Sequence, residues 1–195
     1  MAAFSTLPPF RGSLIRLSFF FFVVVYSVSA KETENESLLR QICRPLKDPE
    51  FCYTTLVRSD TRNAKSVDLP QVLTMNAAEF AVLDATETQF HLARVLQNST
   101  AFGPYDGQYS SAIQSCAMYY FAAAHGLGQT LIDVAARSYE QPFFRTEPGK
   151  EPGKCKKAFA DSGLVYPPDL GRRGESFEKL YQLVHDLIYW YFVDI

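Results

Sequence analysis

The sequence predicts an all-α chain, an up-down helical bundle with a shorter helical element in front of it. Three observations lead there. Apolar residues recur every three or four positions in three long stretches. No stretch alternates apolar and polar residues over strand length. The strongest turn signals, Gly103-Pro104 and Asp106-Gly107, fall between two of those stretches.

The first thirty residues stand apart. Arg11 and Arg16 are their only charges, and an apolar run from Leu17 continues through Phe19, Phe20, Phe21 and Phe22 to Val25. That run is shorter than the roughly 20 apolar residues a membrane span requires. It ends in Val28-Ser29-Ala30, small residues at the positions a signal peptidase reads, just before the polar stretch Lys31-Glu32-Thr33-Glu34. Residues 1–30 are therefore expected to be a signal peptide cut after Ala30. Of 195 residues 165 remain, enough for one domain with one core. We place that domain at 31–195, with a hairpin at about 31–65 and a bundle at about 66–195.

Secretion gives meaning to the four cysteines, Cys43, Cys52, Cys116 and Cys155, because disulfides persist in secretory compartments and are rare in the cytosol. Four cysteines allow three connectivities, and spacing alone does not choose among them. The near pair is the natural first guess, since Cys43 and Cys52 flank a segment carrying Pro45 and the Asp48-Pro49 step, both turn signals. Cys116 would then bond Cys155. On the chain-entropy account the short link contributes roughly 2.7 kcal/mol and the long one roughly 3.9. Two N-glycosylation sequons suit the same compartment, Asn35-Glu36-Ser37 and Asn98-Ser99-Thr100. A glycan on Asn98 requires a surface position, at a helix end or in a loop.

In chain order, Lys31 to Asp60 reads as short helices bent at the Pro45 and Pro49 turn. The first long helix runs from Leu69 to Leu96, with Leu69, Leu73, Ala77, Phe80 and Leu83 on one face and Pro70 in its first turn. The turn-rich stretch Asn98 to Gln108 has the length that joins antiparallel helices. The second helix, Ser110 to Ser138, puts Ile113, Cys116, Tyr120, Ala123, Leu127, Leu131 and Val134 inward. The last runs from about Ser176 to Phe192, with Phe177, Leu180, Tyr181, Val184, Leu187, Ile188 and Tyr191 on its apolar side. Between these, Gln141 to Gly153 carries Pro142, Pro148, Gly149, Pro152 and Gly153. Prolines inside a helix cost about 3 kcal/mol each, so a helix here must be shortened, displaced or replaced by a loop.

Charge and motifs exclude several kinds of function. Without its leader the chain has 17 basic against 21 acidic residues, a formal charge of −4. That does not suit a general attraction to nucleic acid or anionic membrane. Lys154, Lys156 and Lys157 are the only dense basic spot, and read as a solvated helix start. His91, His125 and His185 show no metal-ligand spacing, and no Gly-x-Ser-x-Gly elbow or Gly-rich loop after a strand occurs. With every thiol given a structural use, no cysteine is left as a nucleophile. Glu79, Asp84 and Glu87 could imitate an acid/base set, though a solvated face explains them better. Tyr119, Tyr120 and Phe121 read as core and rim. No cofactor or metal is expected, and no catalytic residue.

At Ile42-Cys43, Asp48-Pro49, Phe51-Cys52 and Leu56 the chain resembles the opening signature of the plant invertase and pectin methylesterase inhibitor family. Later landmarks agree. Cys116 with the Tyr- and Ala-rich run to Ala124 resembles the family's third cysteine and its helix, and Cys155-Lys156-Lys157-Ala158-Phe159 its fourth. The resemblance extends from about Gln41 to the C-terminus. It implies a four-helix up-down-up-down bundle preceded by a helical hairpin, with one disulfide inside the hairpin and one between bundle helices. It also implies a secreted, non-catalytic protein of the apoplast or cell wall, alternatively the vacuole, that inhibits pectin methylesterase by covering its substrate cleft. Acid invertase is the alternative target, and a non-inhibitory wall interaction protein on the same scaffold a further reading. In the esterase inhibitors the contact surface comes from bundle helices, which points to exposed positions on Leu69 to Leu96 and Ser110 to Ser138. Two departures stand out. The Ala-rich helix usual before the fourth cysteine is replaced by Arg145 to Lys154, and the Pro-Lys-Phe tripeptide shared by invertase inhibitors is absent.

Overall fold

A computed structural model describes residues 36–57, 68–98, 106–138 and 147–193. The chain divides into two compact units, Met1–Gln41 and Ile42–Ile195. Of the first, the described residues 36–41 are helical. The expected leader and Asn35 lie outside the described residues.

Helix α1 covers 36–43 and ends in a turn closed by the Leu46 N–H on the Cys43 carbonyl at 3.1 Å. Helix α2, Pro49–Leu56, starts at once, because Asp48 and Pro49 form a complete N-terminus. The Asp48 carboxylate accepts the Phe51 N–H at 3.0 Å, and Pro49 needs no hydrogen-bond partner in a first turn. The Cys43–Cys52 disulfide joins the two arms.

Four further helices form the bundle: α3 (Leu69–Gln97), α4 (Asp106–Ala135), α5 (Glu151–Asp161) and α6 (Pro168–Ile188). Neighbours in sequence are neighbours in space, and α6 returns to pack on α3. Helices α3 and α4 run antiparallel. The start of one is tied to the end of the other by Asp68–Arg137 at 2.9 Å and by Gln71 Nε2 donating to the Val134 carbonyl at 2.8 Å. Helix α4 stops in a Schellman closure. The Ser138 N–H reaches the Asp133 carbonyl and the Arg137 N–H that of Val134, with Arg137 at φ 56° in a position usually held by glycine. Among the described residues there is no strand, and no helix is long and apolar enough to cross a membrane.

The element boundaries differ from expectation where tertiary contact overrides local signals. Helix α4 starts at Asp106, so Asp106-Gly107 belongs to the helix rather than to the turn, and it ends at Ala135 rather than Ser138. Helix α6 starts at Pro168, eight residues before Ser176. Gly171 and Gly174 weaken the helical pattern there, but Gly174 has a packing use. A Cβ on it would lie 3.3 Å from the Pro152 Cβ and 3.5 Å from the Tyr120 hydroxyl, so its bare backbone lets α6 approach both. Beyond Ile188 the chain widens into a π turn, Tyr189–Val193, that brings the Tyr191 hydroxyl to the Ile42 carbonyl at 2.8 Å.

Of the proline-rich segment, the described residues from Glu147 onward lead into a short helix, and Pro142 lies outside the described residues. Pro148–Lys150 is one 3-10 turn, and α5 begins at Glu151 with Pro152 in its first turn, where no N–H is needed. Gly149 lies flat on the Tyr181 ring, leaving no room for a side chain. Lys154, Lys156 and Lys157 are exposed, with Lys154 on Glu151 at 2.7 Å and Lys157 on Asp161 at 2.6 Å, so the solvated reading holds. Cys116–Cys155 bonds α5 to α4.

Among the described residues Tyr120, Phe159 and Phe177 are the largest fully buried side chains. Their rings meet edge to face, Tyr120 on Phe177 at 6.0 Å and Phe159 on Tyr109 and Tyr166 at 5.8 and 5.5 Å, the arrangement the ring quadrupole favours. On α3 the expected core face is corrected in one place. Leu83 is 52% exposed, and the buried stripe runs instead through Ala77, Ala78, Ala81 and Ala85 to Leu92. Small residues let a neighbouring helix come close, which puts Leu83 on the outside.

A polar seam joins α3 to α6. The Ser176 hydroxyl donates to Asp84 at 3.1 Å, and His91 Nε2 lies 3.0 Å from Asp169, which also meets Arg172 and Arg173. The two carboxylates are shifted in opposite directions. Burial raises Asp84, and Glu87 adds to this, while the Ser176 bond and the Arg173 charge pull the other way without prevailing. Partial burial also raises Asp169, but there the charge and hydrogen bond of Arg173, with His91 and Arg172, prevail and lower it.

Two predictions follow from these contacts. Cys116→Ser should lower the melting temperature by about 3 °C more than Cys43→Ser, because its bond closes 39 residues of chain rather than 9; equal melting temperatures would refute the ranking. The second concerns pH. A folded value above the ordinary 3.8 means that Asp84 favours the fold below pH 3.8 and that this contribution is lost as pH rises through the folded value. Asp169, lowered from 3.8, favours the fold above 3.8 and loses that contribution as pH falls through its folded value. Thermal melts from acid to neutral pH should therefore show Asp84→Asn least harmful at neutral pH and Asp169→Asn least harmful at strongly acid pH. Parallel curves for the two variants would contradict this assignment.

Candidate functional site

From Gly107 to Ile132 helix α4 contains no Lys, Arg, Asp or Glu. One of its faces buries Ile113, Cys116, Tyr120, Ala123 and Leu127 in the bundle. The opposite face is exposed through Gln114, Met118, Phe121, His125, Gln129 and Ile132, steps of three and four residues that form one stripe. Met118, Phe121 and Ile132 are 65%, 54% and 61% exposed. The Phe121 ring leans on His125, with centroids 6.4 Å apart. A helix whose outer face carries no acidic or basic residue over so long a stretch is unusual at a protein surface.

Helix α3 extends the surface. Its outward residues include Leu83 and Phe90, the latter 63% exposed, interspersed with Glu79, Glu87 and Arg94. The antiparallel register set by Gln71 on Val134 brings Leu83 level with Phe121, and Phe90 to within one turn of Met118, along the bundle axis. Asp133, which accepts from the Gln129 side-chain amide at 3.3 Å, bounds the α4 stripe at its C-terminal end, and further charges lie on the outward side of α3. Desolvating the α4 stripe against a partner is cheap, because the stripe carries no charge of its own. Interface centres likewise favour aromatic residues and Met over charges.

The other residues singled out in the sequence do not converge on a reactive centre. Glu79 and Glu87 are exposed, whereas Asp84 is half-buried on Ser176, so the three carboxylates do not act as a set. Of the aromatic triplet, Tyr120 is core, Tyr119 half-buried and Phe121 exposed. His91 is engaged with Asp169, His125 lies on the outer stripe of α4, and His185 stacks on Tyr189 at 6.4 Å. Among the described residues no three His, Cys, Asp or Glu side chains are grouped to hold a metal. Asn98 is exposed at the C-terminal end of α3. The four cysteines are paired and none is free.

Sequence reasoning pointed to α3 and α4 without naming individual residues. The signal that marks the stripe in the sequence is the missing charge on α4, since a periodic core face predicts a charged opposite face and this one is uncharged from 107 to 132. No curated protein matches the chain. The family model described as plant invertase/pectin methylesterase inhibitor matches residues 37–185, a span that contains both disulfides and the whole α3–α4 surface. The chain belongs to the plant invertase/pectin methylesterase inhibitor family.

Proposed function

We propose that the chain is a secreted inhibitor of pectin methylesterase that acts stoichiometrically, laying the outer face of α4 over the enzyme's substrate cleft. The family supports an inhibitor of one of two enzymes. The observation that carries the further step is the exposed Met118, Phe121 and Ile132 stripe on the charge-free stretch 107–132 of α4. Aromatic anchors surrounded by uncharged neighbours are the pattern of an interface centre, where a few residues carry most of the binding energy. The lack of a Pro-Lys-Phe tripeptide favours the esterase over acid invertase. The bundle itself supports tight docking, since α4 is held by α3 on one side and by Cys116–Cys155 on the other, and a face already ordered loses little entropy on binding. We further propose cleavage after Ala30, delivery to the apoplast, and glycans at Asn35 and at Asn98.

Titrating purified pectin methylesterase with the protein should abolish activity near one equivalent, while acid invertase retains its activity. Phe121→Glu combined with Met118→Glu should weaken inhibition at least about 30-fold with the melting temperature little changed. Undiminished esterase activity at micromolar excess would sink the proposal, and inhibition of invertase alone would transfer it to the second enzyme.

A further inference from the structure

We propose that the groove between the α1–α2 turn and helix α6 is a binding site for a short, uncharged oligosaccharide. The groove encloses about 480 Å³, within the range of roughly 300–1,000 Å³ typical of small-molecule sites. It lies apart from the α4 face described above. Its floor follows α6 from Glu175 to Asp186, about 16 Å of helix, which makes it an elongated trough.

The walls are held in place. Asp186 is only 13% exposed and its carboxylate is doubly fixed, with one oxygen accepting the Lys47 backbone N–H at 3.1 Å and the other the Gln182 side-chain amide at 2.6 Å. One turn further on, the Tyr191 hydroxyl holds the Ile42 carbonyl, so the hairpin turn is fastened to α6 beside the groove. The Cys43–Cys52 bond then keeps the turn from opening.

The lining suggests the ligand's chemistry. Leu46 and Leu183 are buried beneath it and Phe51 is half-buried in its side, an apolar strip that a pyranose ring can meet with its C–H face. Around this strip stand two cations, Lys47 and Lys179, and two carboxylates, Glu175 and Glu178. Among the described residues none of these four side chains has a hydrogen bond or ion pair with the protein. A polyanion would meet Glu175, Glu178 and Asp186 as like charges, and a polycation the two lysines. A neutral polyol meets neither conflict. Its hydroxyls donate to carboxylates and accept from ammonium and amide groups, so each polar wall group finds a partner. An apolar strip bordered by convergent polar groups of both signs fits a sugar chain better than either charged polymer.

The test is an NMR titration of the isotope-labelled full chain with cellotetraose, maltotetraose and trigalacturonate, each to about 10 mM, where a millimolar Kd is readily seen. A neutral tetrasaccharide should shift the backbone amides of Lys47, Phe51 and Gln182 in a saturable way and leave those of Met118 and Phe121 unmoved. Phe51→Ala should weaken that binding about tenfold, and Lys179→Ala, which spares the apolar strip and removes an exposed side chain with no protein partner among the described residues, should also weaken it, with unchanged melting temperature for the latter. Stronger shifts of the same amides by trigalacturonate would overturn the uncharged assignment. No saturable shift with any of the three would overturn the site. Neither result depends on esterase inhibition, which is read separately on the α4 face.

Discussion

The bundle depends on how its third helix is attached. A run of prolines and glycines leaves α5 only 11 residues, against 29 and 30 for α3 and α4. A helix that short is marginal by itself and owes its position to tertiary contact. Cys116–Cys155 supplies that contact covalently from the middle of α4, and Phe159 follows one turn later as a fully buried ring between Tyr109 and Tyr166. Pro152 and Tyr120 then meet α6 at Gly174. The link passes from α4 through α5 to α6, so the large aromatic core is organised around a single sulfur bridge.

The bundle's surface is divided by chemistry. Helix α4 presents Met, Phe, Ile, Gln and His but no formal charge over 26 residues, whereas α6 presents Arg172, Glu175, Glu178 and Lys179 to solvent. Both helices are equally well buried on their inner sides, so the difference does not come from core packing. It suits two kinds of encounter. A charge-free face loses little on drying and favours a broad, closely fitted protein partner. A face of mixed charges stays hydrated and favours a ligand that replaces water bond for bond.

Much of this was legible in the sequence, for identifiable reasons. Helical periodicity located all three long helices because their core residues are large and regularly spaced. Asp48-Pro49 reads as a turn in the sequence, and the structure adds that the same pair caps and opens α2. What escaped was set by contacts distant in sequence. Gly174 reads as a helix breaker until Pro152 and Tyr120 are seen against it. Leu83 reads as core until the alanines of α3 are seen to take the seam. The two carboxylates of the α3–α6 seam look alike in the sequence, and only Ser176 and the crowded cation cluster around Asp169 separate them. For the candidate surface, the periodic pattern reported which side of α4 is inside but not what the outer side would do.

The π turn at Tyr189–Val193 has a topological result. By widening the last turn of α6 it carries the Tyr191 hydroxyl to Ile42, nearly 150 positions earlier in the chain. The start of the second unit, at Ile42, is thereby latched by residues near its end, and that unit closes on itself like a buckled strap. Shortening the C-terminus by a handful of residues would undo the buckle, and its effect would surface at the other end of the sequence, around the Cys43–Cys52 turn.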